Sequence, residues 1–181
     1  MSADELALLS NAEIDIEGRM PWSSNATYLV NLSCNGEAVG RAIYKPVRGE
    51  RPLWDFEPGL HRRELAAYRL SVAMGIDLVP PTIIRDGPLG EGSLQWFVDA
   101  DLQQHYFTIF EQHGHLHDQL RRVAAFDLIA NNTDRKSGHV LIDDNDHLWG
   151  IDHGLCFGAD FKLRTVVWEF GGEPIADELV D

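Results

Sequence analysis

The 181-residue sequence has few cysteines and no long apolar run, and each shortage excludes a class of protein. Cys34 and Cys156 are too few for the disulfide framework of a small secreted domain. Every apolar run is shorter than the ~20 residues that span a bilayer, and the first residues lack the basic segment and apolar core of a secretory signal. We therefore expect a cytoplasmic protein with no integral membrane segment.

Basic residues are also scarce in this sequence. It holds 15 Lys and Arg against 29 Asp and Glu, which gives a formal net charge of −14. Because nucleic acid binding depends on basic side chains that neutralise phosphates, we expect no nucleic acid partner. Any phosphorylated ligand must instead be held by a metal ion or by a few local cations. With 44% hydrophobic and 24% charged residues, the chain is otherwise typical of a globular protein that buries a core.

The first half of the sequence alternates apolar and polar residues over short runs, which is typical of β-strands. Between two of these runs, Asn35 and Gly36 form the dipeptide that favours a tight hairpin turn. A stretch rich in Leu and Ala, residues 61–74, predicts a helix that stops near Gly75. The predicted strands are residues 12–20, 26–34, 37–46, 79–86 and 92–100, with a loop at 46–59.

The second half of the sequence changes character. A helix is predicted at about 117–130, and because its last two turns are apolar almost all round, we expect it to be buried. Two short strands around a turn at 143–146 follow, and the tail, 161–181, is expected to begin another helix. This order of elements predicts an α+β chain with a β-rich first half and a boundary near residues 99–104.

Lys45 ends the third predicted strand, on the same face as Ile43. An inward-facing lysine is costly to bury unless it meets an anion, although its stem can also extend to water. Glu64, in the first turns of the next helix, is either that anion or a solvated residue paired with a neighbouring arginine. A strand lysine followed by a helix glutamate is the arrangement that holds nucleotide phosphates in kinases.

Asp134, His139 and Asp152 lie at loop–strand junctions that a short hairpin brings together. Two carboxylates and an imidazole can hold Mg²⁺ or Mn²⁺, or one carboxylate can orient an attacking hydroxyl. A plain polar turn is the alternative, and it is the better interpretation of the acidic residues within 143–146. It does not explain Asp152, which interrupts an apolar strand end and precedes Gly154.

The segments FDLIANNTDRKSGHVLI and LWGIDHGLCF resemble the catalytic and metal-binding loops of the phosphoinositide 3-/4-kinase-like superfamily. The usual family form is Asp-Arg-x-x-x-Asn, then a strand pair, then Ile-Asp-x-Gly. The resemblance is strongest to type II phosphatidylinositol 4-kinases and their bacterial relatives, especially an actinobacterial group, and it covers about residues 12–160. The segments AIYKP and GSLQWFV resemble the lysine strand and the strand before the adenine-binding hinge.

The resemblance implies a two-lobed protein-kinase-like fold, with an antiparallel β-rich N-lobe at 1–100 and a small, mostly helical C-lobe at 101–181. ATP and a divalent metal ion, Mg²⁺ or Mn²⁺, bind in the cleft of such a fold. The implied activity is ATP-dependent phosphoryl transfer to a hydroxyl-bearing acceptor, which is an inositol compound, another small molecule or a protein. The acidic composition favours a soluble acceptor over an integral lipid. Because few residues follow Asp152, we expect a C-lobe that is minimal or C-terminally incomplete.

The resemblance also assigns roles to individual residues. Lys45 would contact the α- and β-phosphates, with Glu64 as its orienting partner. Asp134 would position or deprotonate the acceptor hydroxyl, and Asp152 would bind the metal ion. Lys136 would steady the transferred phosphoryl group, or else it is an exposed loop lysine. The backbone groups that would meet the adenine edge belong to Gln95, Phe97 and Val98.

Two features depart from the family pattern. His139 stands where the family has its metal-binding Asn, and an imidazole ligand suits Mn²⁺ and other transition metals better than Mg²⁺. The phosphate loop lacks the usual glycines, so its hydrogen-bond donors would come from Ser23, Ser24 and Asn25. The alternative for these three residues is a plain β-turn.

Other interpretations of the polar residues stay open. A pseudokinase or nucleotide-binding regulatory module would bind nucleotide without turnover. A metal-dependent hydrolase would act through His139, Asp152 and His153. Asp127, in the apolar helix, is interpreted as a buried hydrogen-bonding brace for the next loop. A polar approach to that helix is preferred over a Zn²⁺ site for the cluster of His113, His115, His117 and Asp118.

Overall fold

The computed structural model describes residues 3–21, 23 and 25–175, and it divides into two compact units. The first unit comprises Met1–Tyr68 and Pro80–Phe97, and the second comprises Arg69–Val79 and Val98–Asp181. The assignment of residues 1–100 to the N-lobe and residues 101–181 to the C-lobe of a kinase stays a prediction.

The first unit is built on a five-stranded antiparallel sheet with the strand order β1-β2-β3-β5-β4. Each strand overlaps a run predicted from its alternation of apolar and polar residues. Asn35 and Gly36 both have positive φ, 53° and 81°, as the predicted tight turn between the second and third strands requires. The strands are β1 Glu13–Arg19, β2 Tyr28–Cys34, β3 Glu37–Pro46, β4 Thr82–Gly87 and β5 Gly90–Trp96.

One face of this sheet forms the hydrophobic core of the first unit. In β3, Ala42 and Tyr44 are fully buried, whereas Lys45 alternates with them and lies on the opposite face. This placement on the strand leaves Lys45 outside the apolar cluster. The cluster consists of Leu9, Ala12, Val30, Leu32, Ala42, Tyr44 and Leu94.

Helix α1, Ala3–Asn11, is missing from the elements predicted by the sequence. Asp4 and Glu5 occupy its first turn, where carboxylates favour a helix N-terminus. At its other end, Arg85 Nη1 donates hydrogen bonds to the carbonyl oxygens of Leu9 and Ala12, at 2.8 and 3.0 Å. Since these partners are 76 and 73 positions apart, the arginine cap is invisible to any local pattern.

Helix α2, Leu60–Ala73, forms where the Leu- and Ala-rich stretch predicts it and belongs to the first unit as far as Tyr68. Gly75 follows it with a φ of 65°, a conformation that glycine adopts without strain and that ends the helix. Ser71 Oγ then accepts hydrogen bonds from the amides of Leu78 and Val79, at 2.8 and 3.1 Å. The chain is thereby fixed where it leaves the helix.

The second unit combines helices with a two-stranded antiparallel sheet. Its elements are α3 Tyr106–Gln112, α4 His117–Ile129, β6 Val140–Ile142 and β7 Leu148–Gly150. Helix α4 and the strand pair are confirmed, and α3 was not expected. Residues 161–175 contain no helix or strand, so the predicted tail helix is wrong over that range, and residues 176–181 lie outside the described residues. Among the helices in the described ranges, none has the length and apolarity needed to cross a membrane.

Candidate active site

A buried ion pair organises the loops that follow α4. Arg135 Nη2 lies 2.8 Å from Asp127 Oδ1, and both side chains are 0% exposed. The Nη1 atom of the same guanidinium donates to the carbonyl oxygens of His139 and Ile151, each at 3.2 Å. Arg135 therefore joins the end of α4 to the backbone on both sides of the hairpin formed by β6 and β7.

The Asp127 carboxylate has further partners that complete this network. It accepts hydrogen bonds from Asn132 Nδ2 at 2.9 Å and from Thr165 Oγ1 at 2.8 Å. The prediction that Asp127 is a buried brace for the next loop is confirmed. Burial acts to lower the pKa of the Arg135 guanidinium, but the attraction of Asp127 and its hydrogen bonds raise that pKa above the ordinary value. The Arg135 guanidinium is thus charged in the folded protein.

Arg135 is the residue of this loop to which the sequence assigned no role. Arg135 directly follows Asp134 in the family motif. The preceding helix carries Asp127, and a buried carboxylate requires a cationic partner. That combination was the signal from which the pairing of Arg135 with Asp127 could have been predicted.

Arg135 Nη2 also lies 2.8 Å from His153 Nε2. A guanidinium can only donate hydrogen bonds, so this histidine nitrogen accepts. The contact occupies one of the two ring nitrogens through which His153 could bind a metal ion in the hydrolase alternative.

Asp134 and Lys136 lie on the more exposed side of the same loop. The amide of Asp134 donates to Asn132 Oδ1 at 3.0 Å, which holds the backbone in a turn. Lys136 Nζ lies 2.9 Å from Asp134 Oδ2. Lys136 is exposed, which agrees with the alternative interpretation of an exposed loop lysine. Its ammonium group faces the carboxylate of Asp134, which is predicted to position the acceptor hydroxyl.

His139 and Asp152 come together at the open end of the hairpin, the end whose backbone Arg135 binds. His139 Nε2 lies 3.5 Å from Asp152 Oδ2, and the amide of Ile151 donates to the carbonyl of His139 at 3.0 Å. Asp152 has a φ of 60°, which is uncommon for a residue other than glycine, asparagine or aspartate. Its side chain is 49% exposed, so one carboxylate edge reaches solvent. Backbone strain of this kind occurs at functional sites when the surroundings hold it in place.

The environment of His139 favours a neutral imidazole. Burial lowers the pKa of His139, Asp152 opposes that shift, and the positive charges of Arg135 and Lys136 lower the pKa further. A neutral imidazole keeps one ring nitrogen as an acceptor, which is the form that binds metal ions. The pair of His139 and Asp152 therefore has the donor chemistry for a divalent transition metal.

In the first unit, Lys45 and Glu64 form the ion pair that the sequence suggested. Lys45 Nζ lies 2.5 Å from Glu64 Oε1, and the two side chains are 20% and 4% exposed. Helix α2 therefore presents its glutamate to the face of β3 that lies opposite the apolar core. The role of this pair toward nucleotide phosphates stays a prediction.

The predicted phosphate loop is tied down by its own side chains. Ser23 Oγ lies 2.7 Å from Thr27 Oγ1, and Asn25 Oδ1 accepts a hydrogen bond from the amide of Arg51 at 3.0 Å. Both contacts fit the turn interpretation, and a phosphate-binding role for these residues stays a prediction. Ser24 lies outside the described residues.

The predicted adenine-binding segment begins inside the sheet. Gln95 lies between Ile43 and Thr82 in the strand register, and its Nε2 donates to Thr82 Oγ1 at 2.9 Å. The amide of Phe97 donates to the carbonyl of Arg41 at 3.1 Å. A nucleotide contact from this segment thus falls to other backbone groups, among them those of Val98, and stays a prediction.

The histidine-rich segment before α4 divides into two parts. His117 stacks on Phe110 with ring centroids 4.6 Å apart, and its Nε2 contacts the Phe110 carbonyl at 2.9 Å. Asp118 pairs with Arg121 at 2.9 Å. These contacts fit the preferred interpretation of a polar approach to the helix for His117 and Asp118, and not the Zn²⁺ alternative. The other two histidines, His113 and His115, lie near the carboxylate of Asp146.

Together, an antiparallel sheet with a Lys–Glu pair and a helical unit with paired acidic loops define a two-lobed, kinase-like α+β protein. Comparison with known proteins gives the family. The chain belongs to the phosphatidylinositol 3- and 4-kinase family, whose model matches residues 85–176. Protein Rv2133c from Mycobacterium tuberculosis is 40% identical over 210 aligned positions, which cover 98% of this chain and 75% of that protein. The matched family segment includes both acidic loops, and assignment to the type II subgroup stays a prediction.

Proposed function

We propose that this protein catalyses ATP-dependent, divalent-metal-dependent transfer of a phosphoryl group to a hydroxyl acceptor. The observation that carries the proposal is the pairing of His139 Nε2 with Asp152 Oδ2 at 3.5 Å in a member of this kinase family. Phosphoryl transfer depends on alignment and charge neutralisation more than on covalent chemistry by the protein. A loop network fixed by a buried ion pair supplies that alignment.

The donor set of the site fits a divalent metal ion. The Asp152 carboxylate is half exposed, and a neutral imidazole nitrogen faces it. Asp152 and His139 would hold such an ion, which when bound would supply charge neutralisation at the transferred group. His139 favours Mn²⁺ over Mg²⁺ at this position.

The other residues have complementary roles in the proposal. The Asp134 carboxylate, on a turn held by Asn132, would orient the acceptor hydroxyl and take its proton. Lys136, 2.9 Å from that carboxylate, would meet the transferred phosphoryl group. Lys45, oriented by Glu64, would contact the α- and β-phosphates.

The acceptor we propose is a soluble hydroxyl compound, either inositol-type, another small molecule or a protein. The formal net charge of −14 repels anionic membrane surfaces, which disfavours a lipid substrate embedded in them. We propose that the protein acts in the cytoplasm, because its two cysteines are too few for the disulfide framework of a small secreted domain.

Thermal unfolding in the presence of nucleotides tests the proposal. ATP, ADP and GTP are each added with Mg²⁺, Mn²⁺ or neither. ATP with metal should raise Tm, because a ligand at 100 times its Kd stabilises the folded state by about 2.7 kcal/mol. Lys45→Ala and Asp152→Asn should reduce the shift. Asparagine suits Asp152 because it tolerates the φ of 60° that alanine would strain. Asp144→Asn, an exposed turn residue, is the matched control. If no nucleotide shifts the wild-type Tm, the proposal is wrong.

Transfer of labelled γ-phosphate to inositol compounds and to protein fractions separates an active kinase from a pseudokinase. Asp134→Asn should remove transfer while leaving the nucleotide-dependent Tm shift in place. The pseudokinase is favoured by His139 in the position of the family Asn, and it predicts a Tm shift with no transfer under either metal ion.

A further inference from the structure

Three metal-ligating side chains meet in the second unit without a part in the proposed function. His113, His115 and Asp146 each offer one ligand atom, and these atoms all lie within 4.8 Å of one another. The two histidines come from the segment between α3 and α4, and the aspartate comes from the turn between β6 and β7. The cluster therefore joins two separate parts of the chain.

Backbone hydrogen bonds fix the positions of the two histidines. His113 ends α3, and its amide donates to the carbonyl of Ile109 at 2.9 Å. Its own carbonyl accepts from the amide of Leu116 at 2.8 Å, which closes the 3₁₀ turn that contains His115. The imidazole rings lie with their centroids 5.8 Å apart. Both rings are thus held on one short, structured segment.

The backbone of Asp146 is fixed independently. Its amide donates to the carbonyl of Asp143 at 3.1 Å, and its φ of 58° is typical of a tight turn. Gln119 Nε2 on α4 donates to the Asp146 carbonyl at 2.8 Å. The side chain is left directed toward the histidines, with Oδ2 3.0 Å from His115 Nε2.

This geometry needs only side-chain adjustment to bind an ion. Two ligands of a four-coordinate Zn²⁺ with bonds of about 2.0–2.1 Å lie roughly 3.4 Å apart. The contact between His115 and Asp146 is already near that separation, and their side chains are 60% and 59% exposed, so rotation is unhindered by packing. A surface hydrogen bond explains this pair alone, but it gives no reason for His113 to lie within reach of both.

We propose that His113, His115 and Asp146 bind a divalent transition-metal ion of the Zn²⁺ type. Two imidazole nitrogens and one carboxylate oxygen suit Zn²⁺ better than Mg²⁺ or Ca²⁺, and three protein ligands leave a position for water. The ion ties the hairpin turn to the start of α4. Because β6 directly follows His139 and β7 directly precedes the segment with Asp152, the ion also stiffens the hairpin between these candidate metal ligands.

Metal titration of the metal-free 181-residue protein without nucleotide tests this site. Co²⁺ serves as a coloured replacement for Zn²⁺, and Asp152→Asn is the background, so that the candidate active site does not contribute. We expect one Co²⁺ per chain, displaced by Zn²⁺. His115→Ala and Asp146→Asn should each weaken binding by at least about tenfold. Asp144→Asn, in the same turn, should bind as the background does.

Amide hydrogen exchange provides a readout at the turn itself. Zn²⁺ should slow exchange at residues 143–147 in the background protein and not in the Asp146→Asn variant. The proposal is overturned if the background protein binds no Co²⁺, or if His115→Ala and Asp146→Asn bind it as tightly as the background. If either variant differs from the background protein in Tm in the absence of metal, His113→Gln is used in its place. A Co²⁺ affinity of His113→Gln equal to that of the background would likewise overturn the proposal.

Discussion

Arg135 and Asp127 form an ion pair, 2.8 Å between Nη2 and Oδ1, in which neither side chain reaches solvent. Taking two charges out of water is costly, so such a pair is stable only when additional hydrogen bonds satisfy both groups. Here the guanidinium also binds the backbone on each side of a hairpin, and the carboxylate also binds Asn132 and Thr165. The pair positions the loops of the candidate active site.

Asp127→Ala should lower the free energy of unfolding by about 3–5 kcal/mol, because the buried arginine keeps its charge without its main counterion. Urea unfolding measures the change. Asp118→Ala is the matched control, since it makes the same substitution on the same helix at a side chain that is 88% exposed. A variant of Asp127 no less stable than that of Asp118 would contradict the structural role.

The parts of the fold that the sequence predicted depend on local patterns. The alternation of apolar and polar residues predicted the strands, and the Asn35-Gly36 pair predicted the turn between β2 and β3. The stretch rich in Leu and Ala predicted α2. The parts that were missed depend on distant contacts. Helix α1 is capped by Arg85, and the seven-residue α3 buries Tyr106 with its hydroxyl on Glu169, far along the chain. A short helix is too weakly favoured on its own to be recognised.

The candidate site divides in the same way. The sequence predicted Asp134, His139 and Asp152 as site residues, and the structure brings His139 and Asp152 within 3.5 Å of each other. The pairing of Arg135 with Asp127 could have been predicted from the sequence, but the contacts of Arg135 with the backbone of the hairpin depend on the folded structure. The histidine-rich segment shows the same limit, since the carboxylate next to the histidines in sequence, Asp118, is not the one next to His113 and His115 in space, Asp146.

Glu64→Gln should reduce phosphoryl transfer by about 10²–10³, because the amide no longer fixes the charged end of Lys45 against the phosphates. Initial rates at saturating ATP measure the effect. A double-mutant cycle of Glu64→Gln with Lys45→Met should show strongly non-additive losses of rate, since both substitutions remove the same interaction. Glu57→Gln, an exposed loop residue of the same unit, is the matched control and should retain full activity. Additive losses in the cycle would mean that the two residues act independently.

His139→Asn should shift metal preference from Mn²⁺ toward Mg²⁺, because an amide oxygen replaces an imidazole nitrogen as the ligand. The ratio of the metal concentrations that half-saturate the nucleotide-dependent Tm shift should change by about tenfold or more, as ligand-shell substitutions commonly do. Each protein is its own control, since both ions are measured on the same variant. An unchanged ratio would show that His139 does not contact the ion.

Asp143 closes the turn between β6 and β7 through three hydrogen bonds. Burial acts to raise the pKa of its carboxyl, but donors from Trp149 Nε1 and from the amides of His147 and Asn145 lower that pKa below the ordinary value. Their distances from the carboxylate are 2.9, 3.0 and 2.9 Å. Since the folded state holds the charged form more strongly than the unfolded state, the turn contributes stability while the carboxyl is ionised.

Asp143→Ala should therefore lower the free energy of unfolding by about 1–2 kcal/mol near neutral pH, and the loss should depend on pH. The contribution is complete above the ordinary aspartate pKa of about 3.9 and disappears as pH falls through the lower folded value. Urea unfolding at pH 7, 5, 4 and 3 should show wild type and variant converging at the acidic end. Asp144→Ala, the exposed neighbour in the same turn, should follow the wild-type curve throughout. A difference for Asp143→Ala that stays constant down to the lowest pH would mean that the turn depends on side-chain shape and not on charge.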